Sequence, residues 1–184
     1  MNVAPLGREA TLEDLWEFEG RAELIDGRIV EMSPKSYRPG KAAHRIHLSL
    51  DAYAAVHGGG EAISQAIGFI FETPRSQYFI PDVFWWTGPL PETEPLRGTP
   101  LFAAEVRSQT DYGLTAERAM AIKRAHYFVG GTQVVWDVDV LREGVVRVYR
   151  ADDPENPTIY RRGEVAEAEP AVPGWRMPVD ELFE

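Results

Sequence analysis

The first third of the chain has hydrophobic and polar positions that predict a short helix, a β-hairpin and a long helix. Thr11 precedes acidic residues in a run that ends at Phe18, which indicates an N-capped helix. Within 22–32, Asp-Gly separates two apolar runs and predicts a hairpin, because a type I′ turn needs positive φ at both central residues. The segment 41–56 has apolar residues at helical spacing and ends at three glycines, as a long helix does.

The rest of the chain alternates between apolar strands and one further helix. The segment 101–107 is apolar almost throughout, so we expect a strand buried on both faces. This order of elements predicts one mixed sheet flanked by helices, an α/β or α+β domain. The predicted elements are strands at 62–72, 78–86, 101–107, 132–140, 145–149 and 158–162, a turn at 73–76, a proline-rich loop at 87–100, a helix at 114–129 and a helical turn at 177–183.

Length and composition narrow the class of protein. A chain of 184 residues with 44% hydrophobic residues predicts one folded domain over 1–184 and excludes a disordered chain. The absence of cysteine excludes disulfides, zinc-thiolate sites and cysteine nucleophiles. Residues 1–9 contain no secretory signal, and no apolar run approaches the ~20 residues of a membrane span. We therefore expect a soluble, cytoplasmic protein.

The charge is strongly acidic but unevenly distributed. A net charge of -10 argues against general coating of nucleic acid. The segment 151–184, expected to be an acidic C-terminal extension, holds nine acids and three arginines, and so six of the ten net negative charges. The segment 32–50 contains no acid and is either a solvated helix face with its loop or a phosphate-contacting surface. Its basic residues are Lys35, Arg38, Lys41 and Arg45.

Two carboxylates near the middle of the chain are candidates for chemistry. Glu105 lies in an apolar strand, where a carboxylate is costly unless it is paired, hydrogen-bonded or bound to a metal. Arg107 is one partner to consider, because residues two apart on a strand share a face. Asp82 follows Pro81, whose fixed φ holds the aspartate at a defined strand position, although an ordinary strand-end aspartate is the alternative.

A lysine and a third acid join these carboxylates as candidates. Lys123 lies one helical turn before Tyr127, so the two share a face, and this lysine is either catalytic or extended along the edge of the core. Glu23 points to the same side of its strand as Ile25 and is buried only if Ile25 is. Two carboxylates with a lysine form the set that metal-dependent phosphodiesterases need, so a nuclease is the leading hypothesis.

His44 and His47 form the remaining candidate pair. Their i, i+3 spacing can share a metal, but zinc requires further ligands and no zinc motif is present. Isolated histidine pairs are usually surface or core-edge groups. We expect His44 to contact a phosphate or a metal-bound carboxylate.

Taken together, these residues resemble the Uma family of restriction-endonuclease-like proteins in the PD-(D/E)XK nuclease superfamily. The resemblance implies a restriction-endonuclease-like α/β fold, with a mixed sheet flanked by helices and an N-terminal hairpin. It also implies dependence on Mg²⁺ or Mn²⁺, DNA as the substrate, and often a homodimer. The matching segments are Glu23-Leu24-Ile25-Asp26-Gly27, Met32-Ser33-Pro34, His44, Pro81-Asp82, Glu105-Val106-Arg107-Ser108, Lys123, Tyr127 and the strand 134–139.

The resemblance also implies roles for individual residues. Asp82 and Glu105 would bind the metal, and Lys123 would be the catalytic lysine. In the superfamily the lysine lies two positions after the acid on the same strand. Arg107 holds that position here, and an arginine can stabilise charge but cannot readily act as a base. The implied catalytic set is Asp82, Glu105, Lys123 and Glu23, with His44, Arg107 and Tyr127 supporting it.

The expected function is a metal-dependent DNA endonuclease that hydrolyses phosphodiester bonds. Two alternatives remain open at this point. One is an inactive protein that keeps the nuclease fold as a binding module or scaffold. The other is a metal-dependent hydrolase of small phosphate esters.

Overall fold

The computed structural model describes residues 8–64, 67–71 and 75–184. Helix α1 (Leu12–Trp16) begins as predicted: the Thr11 hydroxyl accepts a hydrogen bond from the backbone N–H of Asp14, whose carboxylate accepts one in return. Strands β1 (Ala22–Ile25) and β2 (Arg28–Glu31) form the predicted hairpin. Asp26 and Gly27 have φ of 50° and 68°, as a type I′ turn requires.

Two long helices and the remaining strands follow this hairpin. No helix among the described residues is long and apolar enough to cross a membrane. The elements after the hairpin are α2 (Tyr37–His57), β3 (Glu61–Ser64), β4 (Phe69–Phe71), β5 (Gln77–Phe79), β6 (Val83–Trp86), β7 (Leu96–Arg97), β8 (Phe102–Val106), α3 (Leu114–Gly130), β9 (Val134–Asp139), β10 (Val145–Arg150), β11 (Asp153–Arg161), β12 (Val165–Glu167), β13 (Arg176–Pro178) and a 3₁₀ helix (Val179–Phe183).

The large strands form two mixed sheets, so the prediction of one sheet is wrong. One sheet has the order β2-β1-β5-β4-β7 and the other β11-β10-β9-β8-β6-β3. The predicted strands at 62–72 and 78–86 each divide between the two sheets. Pro81 lies at the second division, where its missing N–H suits a break in the ladder. The predicted turn at 73–76 falls partly outside the described residues.

An aromatic cluster joins the two sheets and positions the site. Phe69 and Phe79 come from the five-stranded sheet, and Phe84 comes from the six-stranded sheet. The ring of Tyr127, from α3, lies among them with its centroid 5.1 Å from that of Phe79. This packing brings β1, β8 and α3 to one place, although they lie far apart in the sequence.

The C-terminal segment packs into the main core. The Trp175 ring stacks on Trp136 of β9 with centroids 4.8 Å apart, and the Trp136 indole N–H donates to the Glu167 carbonyl oxygen. The edge strand predicted at 158–162 is confirmed as part of β11. The segment is therefore an integral part of the packed structure, despite its acidic composition. Its core side chains are Ala166, Ala168, Ala171, Val172, Trp175, Met177, Val179 and Leu182.

Candidate active site

Five charged side chains from five parts of the chain meet beside the junction of the two sheets. Their elements are β1 of the five-stranded sheet, the loop before α2, the residue before β6, strand β8 and helix α3. The set contains three carboxylates and two ammonium groups, one of which contacts two of the carboxylates and the other the third. The side chains are Glu23, Lys35, Asp82, Glu105 and Lys123.

Lys123 links the two acids of β1 and β8. Its Nζ lies 2.8 Å from Oε1 of Glu23 and 2.8 Å from Oε1 of Glu105. Burial alone would lower the pKa of Lys123, but the two carboxylates outweigh it and hold that pKa above its usual value. The Lys123 side chain is therefore a cation shared by two acids, rather than a solvated lysine at the edge of the core.

Glu23 is buried in β1 and holds the neighbouring strand as well as Lys123. Its Oε1 accepts a 2.7 Å hydrogen bond from the backbone N–H of Ile80. Burial raises the pKa of Glu23, the nearby Lys123 lowers it, and the charge of Glu105 raises it, with a net increase. Ile25 packs against the core, and Glu23, on the same side of the strand, faces inward as expected in that case.

Tyr127 fixes the carboxylate of Glu105 from the other side. Its hydroxyl donates a 2.6 Å hydrogen bond to Glu105 Oε1, the oxygen that also contacts Lys123. Burial raises the pKa of Tyr127 well above its usual value, and the Glu105 and Glu23 charges raise it further. The shared face predicted for Lys123 and Tyr127 is thus directed at Glu105.

Asp82 is bound to a lysine that the sequence did not single out as a site residue. Its Oδ2 accepts a 2.7 Å hydrogen bond from the backbone N–H of Val106 and lies 2.7 Å from Nζ of Lys35. The same ammonium donates to the carbonyl oxygen of Val106. Burial raises the pKa of Asp82, Lys35 lowers it, and Glu105 raises it, with a net increase. Asp82 and Lys35 therefore hold the backbone N–H and the carbonyl group of one residue of β8, Val106.

Lys35 was visible in the sequence only as one of four basic residues in an acid-free segment. Its position directly after Met32-Ser33-Pro34, one of the segments of the family resemblance, was the available signal. A lysine in a loop has no period or spacing that predicts the direction of its side chain. Only the folded chain shows that this member of the basic segment points into the site.

Arg107 does not pair with Glu105, so that interpretation of the strand is wrong. Its guanidinium makes two 2.6 Å hydrogen bonds to the carboxylate of Asp137 on β9 and also binds Glu117. Burial would lower the pKa of Arg107, but the hydrogen bonds to Asp137 and Glu117 outweigh burial, so this pKa lies above its usual value. Arg107 lies beside the site, in an ion cluster of its own.

His44 lies outside this group of side chains. It is exposed on α2, whereas the buried face of that helix carries Ala43 and Ile46. The structure does not bring its imidazole to the carboxylates. Its expected contact with a phosphate stays a prediction, and a role as a partner of Asp82 or Glu105 is not supported.

A cavity of about 160 Å³ opens beside these residues, with room for several water molecules. Glu23, Glu105, Lys123 and Arg107 are among the residues that line it. No residue after Asp137 in the described part of the chain belongs to the lining, so the acidic C-terminal segment does not form its wall. Six of the ten net negative charges that argued against nucleic acid therefore lie outside the cavity lining.

The oxygen atoms at this site suit a hard divalent cation. Carboxylate and carbonyl oxygens are the ligands that Mg²⁺ takes in proteins, and Asp82, Glu105 and the Val106 carbonyl are groups of this kind. The Lys35 ammonium already lies between two of these oxygens, so a positive charge is accommodated there. Within 8–64, 67–71 and 75–184, no three acidic or histidine side chains are grouped closely enough to hold an ion by themselves. The donor chemistry fits a divalent ion that also uses the carbonyl or water.

Comparisons with known proteins bear on the family and the fold of the chain. Residues 11–180 match the model of the family Uma2, described as "Putative restriction endonuclease". The structure is similar to the crystal structure of a "putative nuclease belonging to DUF820" from Anabaena variabilis, with a TM-score of 0.73 and 18% identity over 94% of this chain and 97% of that chain. No curated protein matches the chain. The structural likeness confirms the predicted restriction-endonuclease-like α/β fold.

Proposed function

The chain belongs to the Uma2 family, and from this membership and the site we propose that it is a metal-dependent DNA endonuclease. The observation that carries the proposal is the convergence of Asp82, Glu105 and Lys123 from three different parts of the chain, with Glu105 and Lys123 lining one cavity. Ion-paired carboxylates in a cleft are characteristic of functional sites. DNA as the substrate, and a role for each of these residues, belong to this proposal.

Hydrolysis of a phosphodiester needs a water molecule in line with the leaving oxygen and positive charge around the phosphate. Asp82 and Glu105, together with the Val106 carbonyl, would hold the divalent ion. When bound, such an ion lowers the pKa of its water and neutralises phosphate oxygens. Mg²⁺ is the expected ion and Mn²⁺ an expected substitute, because both accept oxygen ligands.

The protein's own residues supply orientation and charge. Lys123 would stabilise negative charge as it develops on the phosphate oxygens, since its ammonium is held at the cavity by Glu23 and Glu105. Glu23 would keep this lysine in place. Tyr127 would orient Glu105 through the hydrogen bond to Oε1.

Cleavage of supercoiled plasmid by purified protein tests the proposal. We expect nicking with Mg²⁺ or Mn²⁺, none with EDTA, and a loss of about 10³-fold in Asp82→Asn and Glu105→Gln, because metal chemistry supplies several kcal/mol to the transition state. Asp152→Asn and Glu155→Gln make the same chemical changes at exposed positions and should cleave like the wild type. Equal cleavage by all five proteins would identify a contaminating nuclease and refute the assignment.

The same preparations separate the alternatives. An inactive scaffold is the second candidate, favoured by the engagement of the carboxylates of Asp82 and Glu105 with Lys35 and Lys123. It predicts no metal-dependent cleavage and no effect of Mg²⁺ on the melting temperature. A hydrolase of small phosphate esters would cleave bis(p-nitrophenyl) phosphate but not DNA. The homodimer and the cytoplasmic location stay predictions, and sedimentation equilibrium measures the first.

A further inference from the structure

Lys35 is bound as a metal ion would be, by oxygen atoms from two different parts of the chain. Its Nζ lies 2.7 Å from Oδ2 of Asp82, and it also contacts the carbonyl oxygen of Val106. A carboxylate and a main-chain carbonyl are both ligands for hard cations. The ammonium therefore uses oxygens that the proposed metal site requires.

Lys35 also separates Asp82 from the cavity. Lys35 lines the cavity, whereas Asp82, with 3% of its surface exposed, does not. Glu105 lines the cavity directly. A divalent ion that enters from the cavity therefore meets Glu105 at once but can bind Asp82 only if the Lys35 side chain moves.

The loop that carries Lys35 permits such a movement. It is tied at its start by a 2.8 Å hydrogen bond from the Met32 N–H to the Arg21 carbonyl oxygen, and at its end by helix α2. Between these points Lys35 extends a flexible four-carbon side chain that is 21% exposed. The ammonium can leave Asp82 by rotation of this side chain, while the backbone stays in place.

We propose that Lys35 is a built-in competitor for the metal site, and that its ammonium and a divalent ion bind Asp82 in alternation. The inference rests on the proposed metal site. In the metal-free protein, Lys35 neutralises a buried carboxylate that would otherwise be unpaired, which is strongly unfavourable. In the metal-bound protein, the divalent ion takes over that role and Lys35 is released towards the cavity.

Competition of this kind lowers the apparent affinity for metal. If the ammonium occupies Asp82 in about nine of ten molecules, the apparent Kd for the divalent ion is about tenfold weaker than the intrinsic Kd. Removing the ammonium while keeping the length of the side chain should recover that factor. Lys35→Met is the corresponding substitution.

Calorimetric titration with Mn²⁺ at fixed ionic strength tests the inference. We expect Lys35→Met to bind Mn²⁺ about tenfold more tightly than the wild type. Lys41→Met removes the same charge from α2, where the Lys41 ammonium lies over the Tyr37 ring, and should leave the Kd unchanged. An unchanged or weaker affinity in Lys35→Met would overturn the inference, as would an equal gain in both variants, which would indicate a general effect of net charge.

Asp82→Asn in the same titration separates this inference from the proposed function. Loss of Mn²⁺ binding in Asp82→Asn, with wild-type affinity in Lys35→Met, would leave the metal site standing and remove only the competition. Absence of binding in the wild type and in Lys35→Met would refute both. Binding only in Lys35→Met would support the inference strongly.

A measurement on the wild type covers the case in which Lys35→Met fails to fold. Lysine labelling with an amine-reactive reagent, followed by peptide mass spectrometry, should show faster modification of Lys35 when Mn²⁺ is saturating. Lys41 provides the internal reference, because its labelling should not respond to the metal. Equal labelling of Lys35 with and without bound Mn²⁺ would contradict its release.

Discussion

The hydroxyl of Tyr127 donates a 2.6 Å hydrogen bond to Glu105 from a ring that is completely buried between the two sheets. The aromatic packing fixes the ring, and the fixed ring in turn fixes the hydroxyl. The same carboxylate oxygen also contacts Lys123. The hydrophobic core therefore sets the orientation of a polar group at the cavity.

Tyr127→Phe should destabilise the protein while leaving the ring in place. Loss of a hydrogen bond to a charged group costs about 1.5–3 kcal/mol of unfolding free energy. Tyr53→Phe is a matched control, because the Tyr53 hydroxyl donates to the neutral carbonyl of Pro173 and its loss costs about 0.5–1.5 kcal/mol. Urea unfolding measures both values. Equal losses would show that the charge of Glu105 adds nothing to the first hydrogen bond.

Lys123→Met should be more damaging, because it leaves Glu23 and Glu105 without their shared cation. Removing one partner of a buried ion pair costs about 3–5 kcal/mol. Glu23→Gln introduced into the Lys123→Met protein should recover part of this loss, since it removes one of the unpaired charges. A double-mutant cycle from urea unfolding measures the coupling. Strictly additive effects would contradict an interaction between the two side chains.

Arg107→Lys tests whether position 107 can supply the lysine of the usual superfamily pattern. The Arg107 guanidinium binds both Asp137 and Glu117. A single ammonium cannot reproduce its bidentate hydrogen bonding to Asp137. We expect a loss of about 2–3 kcal/mol in unfolding free energy and no gain in plasmid cleavage. Arg118→Lys on the exposed side of α3 should change neither. Faster cleavage by Arg107→Lys would transfer the catalytic role from Lys123 to position 107.

Asp139 should contribute to stability in a pH-dependent way. Burial would raise its pKa, but hydrogen bonds from the N–H groups of Arg142 and Leu141 and from the Tyr112 hydroxyl hold that pKa below its ordinary value of 3.8. A depressed pKa in the folded state stabilises the protein above the unfolded value, and this stabilisation is lost as the pH falls through the folded value.

The corresponding experiment compares Asp139→Asn with the wild type in urea at several pH values. At neutral pH we expect the variant to be less stable by about 1–2 kcal/mol. This difference should shrink as the pH falls below about 4. Asp152→Asn, at an exposed position, should show no difference at any pH. If the difference in unfolding free energy stays constant down to pH 2, the charge of Asp139 is not the source of the stabilisation.

Local signals predicted the hairpin and both long helices, because Asp26-Gly27 and the glycines that end α2 and α3 act within a few residues. Two results depended on distant contacts. The division into two sheets was missed because short apolar strands give the same pattern in either sheet. The Arg107 partner was missed because the parallel register of β8 and β9, which sets Glu105 opposite Asp137, is not encoded in either strand alone.

The candidate site, too, could be predicted only where local sequence signals were sufficient. Glu23, Asp82, Glu105 and Lys123 could be selected because carboxylates and a lysine in apolar surroundings are unusual, and the family resemblance ordered them. Lys35 could not, because it lies in a loop whose side-chain directions follow from the folded chain. Whether these residues bind metal and DNA stays a prediction for the experiments above.

The wide spacing of the site along the chain has a consequence for protein synthesis. Glu23 is made early, but the ammonium that neutralises it belongs to α3, a hundred residues later. While α3 is still inside the ribosome, neither Lys123 nor Tyr127 can reach Glu105. The group of side chains at the candidate site is therefore assembled only after α3 has been synthesised and has packed beside β1 and β8.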